Sequence, residues 1–396
     1  RIMFKSFIAL FSALALCGAC IAQDGVARVV AQVESNNIEL ASYRSLTEAR
    51  SLEARVGNSL SNPEVEFIHS WGSPSEAGKT GELTVTQEFD FPSAYALRGK
   101  LAKTKARQYD SEYDALRQKI LLEAQLLCFD VIAMRQQIEV QQTVLSHAEQ
   151  TLSIAQERLD KGDGSILDSE QARMQMMTER NALRLLQIDL EQALSRLEVL
   201  NGGCKVDFED TRFAAPQQLP DLQSVLDDWR TASPQLRGAL LEQESAEAEL
   251  RVSRTESLPK FTLGYKHEYT ASERFHGVVA GMSIPMFGNR NNVKRSKAQV
   301  QYARSAAEAS LSDMTTEVAS LYEKTRLLAE ASKSADETVL GLESFAEQLD
   351  KSLRAGGMGM VEYFVQMNSL LSIRKEAIDF KLQYVKSYAQ LMAVNL

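Results

Sequence analysis

The sequence predicts a mainly α-helical chain with a small β part, laid out as two copies of one plan: helix, strand, loop, strand, very long helix, Gly turn, helix. Three observations predict it. Landmarks recur at a near-constant offset, heptad spacing runs unbroken through much of the second half, and four short stretches alternate apolar with polar residues. Composition agrees, because only 8 Pro and 20 Gly interrupt 396 residues and such a chain favours long helices. At 44% hydrophobic and 24% charged, wholesale disorder, a collagen-like repeat and a polytopic helical membrane protein are excluded. A formal charge of −9 argues against any nucleic-acid partner, since phosphate neutralisation needs clustered Lys and Arg. Four Cys are too few for a disulfide framework or a four-thiolate zinc site.

Residues 1–22 read as an export signal. Arg1 and Lys5 precede the apolar run Phe7 to Leu16, the small-residue stretch Cys17 to Ala22 follows, and cleavage is expected after Ala22. A buried N-terminal helix is the disfavoured alternative, because these parts come in signal-peptide order. A lipid anchor is also disfavoured: bulky Leu16 precedes Cys17, and Cys20 has Cys17 where Leu is usual. Beyond Ala22 no apolar run reaches the ~20 residues of a spanning helix. Any membrane insertion must therefore be by strands.

The later elements follow in order. A helix is expected over 27–57. Then come two strands, one turning Val65, Phe67, His69 and Trp71 to one side and the next Leu83, Val85, Phe89 and Phe91, with polar residues such as Glu64, Glu66, Glu82 and Glu88 opposite. Pro92 makes the strand-to-helix turn, a helix runs over 95–160, Gly162 and Gly164 form a turn, and a helix covers 166–200. A link bearing Pro216 and Pro220 leads to a helix over 222–256, with Pro234 placed as an early helical residue should be. The plan then repeats. One strand carries Phe261, Leu263, Tyr265 and Tyr269, the next Val278, Ala280, Met282, Ile284 and Met286. Pro285 marks the second strand-to-helix turn, and helices over 294–354 and 361–393 flank the Gly turn 356–359. Alternation over about ten residues fits a transmembrane barrel strand, and, taken strand by strand, fits the more common soluble hairpin with one buried face.

The duplication is visible by eye. Pro63 recurs as Pro259 at an offset of 196, Pro92 as Pro285 at 193, Gly162 as Gly356 and Asn201 as Asn395 at 194. The two repeats are thus placed at 23–204 and 205–396. Leu311, Met314, Val318, Leu321, Thr325, Leu328, Ser332, Ala335, Val339, Leu342, Ala346, Leu349 and Leu353 follow spacings of 4 and 3, a coiled-coil seam. At 1.5 Å per residue the two long helices would measure roughly 100 and 90 Å. Each shorter pair matches one long helix in length, so stacked end to end they would put both strand pairs at one end and both Gly turns at the other.

At this point the residues resemble the TolC family of outer-membrane efflux channels, across essentially the whole chain after residue 22. The duplicated order and the Pro closing the second strand of each repeat are shared. So is a tip pattern, here Arg158-Leu159-Asp160-Lys161-Gly162 followed by Ile166-Leu167-Asp168. In the second repeat it stands as Ser352-Leu353-Arg354-Ala355-Gly356 followed by Met360-Val361-Glu362, without the Arg. The resemblance implies a homotrimer in the outer membrane of a Gram-negative bacterium. Each chain would give four strands to a shared transmembrane β-barrel in lipid and its helices to a long coiled-coil α-barrel in the periplasm. It further implies the exit duct of a tripartite efflux system, docking on a periplasmic adaptor (membrane fusion) protein and an inner-membrane efflux pump of RND type to export small molecules or metal ions. Under it Arg158, Leu159, Gly162, Gly164, Leu353, Gly356 and Gly359 form the adaptor-docking tips, and Asp168 and Glu362 are aperture acids. One residue departs: Val365 stands where the family has a further acid. An acid near a helix N-terminus is also favoured by the macrodipole alone.

No enzyme is expected. The four His, at 69, 147, 267 and 276, share no ligand spacing, so neither a metal site nor a cofactor is assigned, and no P-loop, nucleophile elbow or dinucleotide fingerprint occurs. Met174, Met176, Met177, Met358, Met360 and Met367 cluster near the tips; soft thioethers suit Cu(I), which would point to the cation-efflux branch, but helix packing is the commoner use. A structural or adhesive trimeric coiled coil is the alternative function. It explains the heptads but not a duplicated hairpin between helices.

Overall fold

The computed structural model describes residues 25–73, 78–214, 218–270, 272–285, 289–355 and 357–396. The expected signal 1–22, Pro216, Met286 and Gly356 lie outside the described residues, as do the side chains of Leu353 and Met360. In chain order the elements are α1 (Gly25–Asn36), α2 (Ile38–Glu53), β1 (Glu64–Trp71), β2 (Lys79–Phe89), α3 (Pro92–Asp160) and α4 (Ile166–Leu200). Then follow α5 (Leu222–Ala232), α6 (Pro234–Thr255), β3 (Lys260–Tyr269), β4 (Arg274–Ser283), α7 (Arg290–Arg354) and α8 (Met360–Leu391), with a closing 3-10 turn at Ala393–Asn395.

Two expected helices are each split in two. The helix over 27–57 breaks at Asn37, whose Oδ1 accepts the Leu40 N–H at 2.9 Å while its Nδ2 donates to the Leu200 carbonyl at 2.8 Å. The helix over 222–256 breaks at Ser233, whose Oγ accepts the Leu236 N–H at 3.3 Å. Both are N-caps reaching the third amide onward, and such a cap fixes a helix start that periodicity alone cannot reveal. Their separation, 196 residues, is the repeat offset. β4 also differs from expectation: it begins earlier, at Arg274, and Ile284 lies past its end. β2 ends at Phe89, short of Phe91, because the Asp90 N–H turns to the Tyr95 hydroxyl at 3.0 Å. Pro92 then takes the first position of α3, where its missing N–H is harmless.

The strands form one antiparallel sheet in the order β1-β2-β3-β4. Directly opposed residues share a face, and the register aligns Phe67 with Leu83 and His267, and Val65 with Val85, Tyr265 and Val278. All four apolar stripes therefore fall on one side. That side is not covered: Val65, Phe67, Trp71, Leu263 and Met282 are exposed, and Val278 is 83% exposed. On the other side Lys266 bridges Glu82 at 2.8 Å and Glu268 at 3.7 Å, and Lys260 pairs with Glu88 at 3.1 Å. β1 and β4 are edges with one strand neighbour each.

The chain divides into two compact units. One holds the sheet, in Ala41–Leu116 and Asp227–Thr316. Its helical segments pack through small side chains, with Ala94, Ala102, Thr104, Ser111, Ser245, Ala246, Ala248, Ala303 and Ala307 buried. Ser111 Oγ donates to the Pro234 carbonyl at 2.8 Å, and Arg50 pairs with Glu112 at 3.1 Å.

The other unit comprises residues up to Leu40, Arg117–Leu226 and Glu317–Leu396. Ala133, Val140 and Val144 of α3 meet Leu371 and Ile378 of α8 in its core, with Phe213, Met367 and Leu382 against them. The heptad seam of α7 is buried or half-buried at every described position except Leu311. Its polar member Thr325 is fully buried and is satisfied by the Leu321 carbonyl and the Ser387 hydroxyl, each at 2.7 Å. The stretch 205–214 has no element of its own and is tied down by side chains. Arg135 donates to the carbonyls of Phe208 at 2.5 Å and Asp210 at 2.9 Å, with its guanidinium 5.5 Å from the Phe208 ring centroid. Among the described residues no helix is long and apolar enough to cross a membrane.

Candidate functional site

The turn between α3 and α4 is built by backbone bonds. Asp163 N–H reaches the Arg158 carbonyl at 2.9 Å and Gly162 N–H the Leu159 carbonyl at 3.0 Å, the paired bonds of a Schellman helix end. That geometry needs a left-handed residue, and Gly162 supplies it with φ of +74°. Gly164 is needed for a different reason: a Cβ there would lie 2.8 Å from the Leu159 backbone nitrogen. Arg158 folds over the turn, donating to the Asp163 carbonyl at 3.2 Å. Ser165 then caps α4, its Oγ accepting from Leu167 N–H at 3.1 Å, and Asp168 stands exposed in the first turn.

The turn between α7 and α8 repeats the frame at an offset of 194. Ala355 N–H bonds to the Lys351 carbonyl at 3.0 Å and Gly357 N–H to the Ser352 carbonyl at 2.9 Å, matching the bonds of Lys161 and Asp163. Gly359 is the N-cap of α8 and offers no side-chain bond. Glu362 is exposed in the first turn.

The start of α8 and the first turn line a cavity of about 590 Å³, bounded by Ile154, Arg158, Gly164, Asp168, Val361, Phe364 and Val365 among others. Phe364 is buried, and the His147 ring stacks on it at 5.3 Å between centroids. Arg158, Gly164 and Asp168 are thus brought together; Glu362 does not line this cavity. Leu159 is half-buried, whereas Leu167 and Val361, equivalent residues of the two repeats, are 73% and 53% exposed. Exposed apolar residues beside a polar turn are contact candidates, and their signal in the sequence is the apolar residue preceding each acid. Of the tip Met residues, Met174 and Met177 are exposed and Met367 packs on the core. Among the described residues no group of three or more His, Cys, Asp or Glu side chains could hold a metal ion. Pro285 lies in the connection after β4, outside regular structure.

Comparison with known proteins identifies the family and the fold. The sequence profile of the family described as outer membrane efflux protein matches residues 29–203 and 225–394. The chain is similar to outer membrane protein TolC of Vibrio cholerae, 20% identical over 415 aligned residues, covering 98% of this chain and 94% of the relative. Among solved structures, a membrane protein of Pseudomonas aeruginosa aligns with a TM-score of 0.76 at 15% identity, over 94% of this chain and 90% of that one. The CmeC outer membrane channel of Campylobacter jejuni aligns with a TM-score of 0.73 at 12% identity, over 94% and 85%. At such identities these structures establish the fold.

Proposed function

The chain belongs to the outer membrane efflux protein family, and from that premise we propose how its parts work together. As a member it is a trimeric channel of the Gram-negative outer membrane. With a periplasmic adaptor and an inner-membrane pump it forms the exit duct of a tripartite efflux system, which displaces the adhesive coiled-coil alternative. The pump is of RND type in this proposal. Residues 1–22 are the export signal, and 23–204 and 205–396 are the two repeats.

The observation that carries the membrane assignment is the uncovered apolar face of a four-stranded sheet with two open edges. An unsatisfied edge amide in hydrocarbon costs several kcal/mol, so four strands alone cannot span a bilayer. Three chains joined β4 to β1 remove every edge in a twelve-stranded barrel, with Val278 toward lipid and Lys266 toward the lumen. At the other functional region the tips dock the adaptor through Arg158, Leu159 and the turns at Gly162, Gly164, Leu353, Gly356 and Gly359, with Leu167 and Val361 adding apolar contact. Asp168 and Glu362 of three chains ring the entrance and favour cations.

Adjacent residues of β4 test the barrel. Val278→Arg puts a charge on the lipid side, costing about 2–4 kcal/mol at mid-depth, and should abolish outer-membrane assembly. Gly277→Arg points the other way, into space where an added Cβ meets nothing within 4 Å, and should leave a detergent-extracted trimer that conducts in planar bilayers. Equal tolerance of both changes, or a monodisperse water-soluble monomer, would overturn the assignment.

A further inference from the structure

The β3–β4 hairpin opposes His267 directly to His276. Their imidazole rings lie 4.5 Å apart between centroids at 28° between planes. Nothing in channel formation asks for two imidazoles there, since the next pair on the same face, Tyr265 with Val278, serves an apolar surface without them. Sequence spacing hides the pair, as antiparallel register alone brings these two residues together.

Each ring carries a mark of a metal ligand. The His276 Nδ1 meets the Tyr265 hydroxyl. With Nδ1–H donating to that oxygen, Nε2 keeps its lone pair, the tautomer that an outer hydrogen bond selects in metal-bound histidines. The His267 Nδ1 is buried and has no hydrogen-bond partner, a deficit that turning the ring onto a cation relieves. Directly opposed strand residues have Cβ atoms about 4.5–5.5 Å apart, close enough for two imidazoles to share one ion at about 2.0–2.1 Å from each nitrogen. Glu82, Lys266 and Glu268 belong to the opposite face, and Arg274, on the same face two residues from His276, brings no ligand. The pair sits two residues inside the strand ends at the turn, at the membrane–water boundary rather than mid-depth in the lipid-side face, and there water must complete the coordination.

We propose that His267 and His276 together bind one divalent transition-metal ion, which clamps β3 to β4 near the hairpin turn. Imidazole donors suit Cu(II), Ni(II) and Zn(II), and Cu(II) binds most tightly of these. The site depends on the hairpin register and is independent of the efflux reading.

The test uses tag-free trimer in detergent, on a Cys204→Ser background so that the exposed thiol does not compete. Titrated with Cu(II), it should bind one ion per chain with a paramagnetic resonance spectrum showing two coordinated nitrogens. His267→Gln and His276→Gln should each weaken binding at least tenfold and leave one nitrogen, and Tyr265→Phe should weaken it about tenfold with both nitrogens retained. His69→Gln should change nothing. Zn(II) should raise the unfolding temperature of the parent and of neither His variant. Absence of a two-nitrogen spectrum in the parent would overturn the proposal even if a variant fails to assemble, as would undiminished copper binding in both His variants.

Discussion

The two interhelical turns share a backbone and differ in side chains. Both close with an N–H reaching back five residues, Asp163 to Arg158 and Gly357 to Ser352. In the first, Arg158 folds over the turn, Gly164 presses on the helix end and Ser165 caps the next helix. In the second, Ser352, Met358 and Gly359 hold the equivalent positions. A helix end needs its carbonyls satisfied whatever the sequence, so the frame survives while the surface diverges. The lesson is that a duplicated fold need not present duplicated surfaces.

The largest effect should come from the glycines. Gly162→Val forces a β-branched residue into a left-handed conformation, and Gly164→Ala drives a Cβ to within 2.8 Å of backbone. Each should abolish export in a complementation assay while leaving trimer abundance within about twofold, since the strain of about 1–3 kcal/mol is local. Gly357→Ala should be tolerated, because its Cβ would meet the movable Ser352 hydroxyl at 3.2 Å and the Ser352 carbonyl oxygen at 3.6 Å, an ordinary contact. Equal damage there would erase the contrast between the turns.

Exchange of the side chains sharpens it next. Arg158→Ser should weaken adaptor binding about tenfold, equivalent to about 1.4 kcal/mol, and Ser352→Arg should offset part of that loss, as read by biolayer interferometry with purified adaptor. No change from either variant would move docking to Leu167 and Val361.

A smaller, electrical effect is expected from Asp168→Asn combined with Glu362→Gln, which removes two formal charges per chain. Cation preference and divalent block in single-channel recordings should fall a few-fold. If both are unchanged in an intact trimer, these acids serve only the helix dipoles.

The smallest effect separates the caps. Ser165→Ala should cost about 1 kcal/mol locally, seen as roughly fivefold faster amide exchange over residues 166–169, whereas Gly359→Ser should slow exchange at the start of α8. An unaltered rate for Ser165→Ala would mean that the turn, not the cap, holds α4.

Much of this was legible in one dimension. Heptad spacing marked the buried face of α7, including Thr325, and period-2 alternation marked the strand faces that the register then aligned. Helix continuity was only half legible: 27–57 read as one helix because Asn37 interrupts no hydrophobic period, whereas Pro234, read as an early helical residue, already marked a start inside 222–256. The Asn37 side chain that caps α2 is also held by the Leu200 carbonyl, 163 residues away. Tip chemistry was half legible, since the glycines announced a turn while the exposure of Leu167 and the partial burial of Leu159 depend on what packs beside them.

The sequence by itself therefore determined the repeated order of elements, their periods and the sidedness of each strand, because these follow from local propensity and near-neighbour spacing. Tertiary structure alone decided that the shorter helix over 27–57 breaks at Asn37, which histidines meet and which tip residues face outward. Those outcomes rest on hydrogen bonds and strand register between residues far apart in the chain, and a linear pattern carries no measure of such distances.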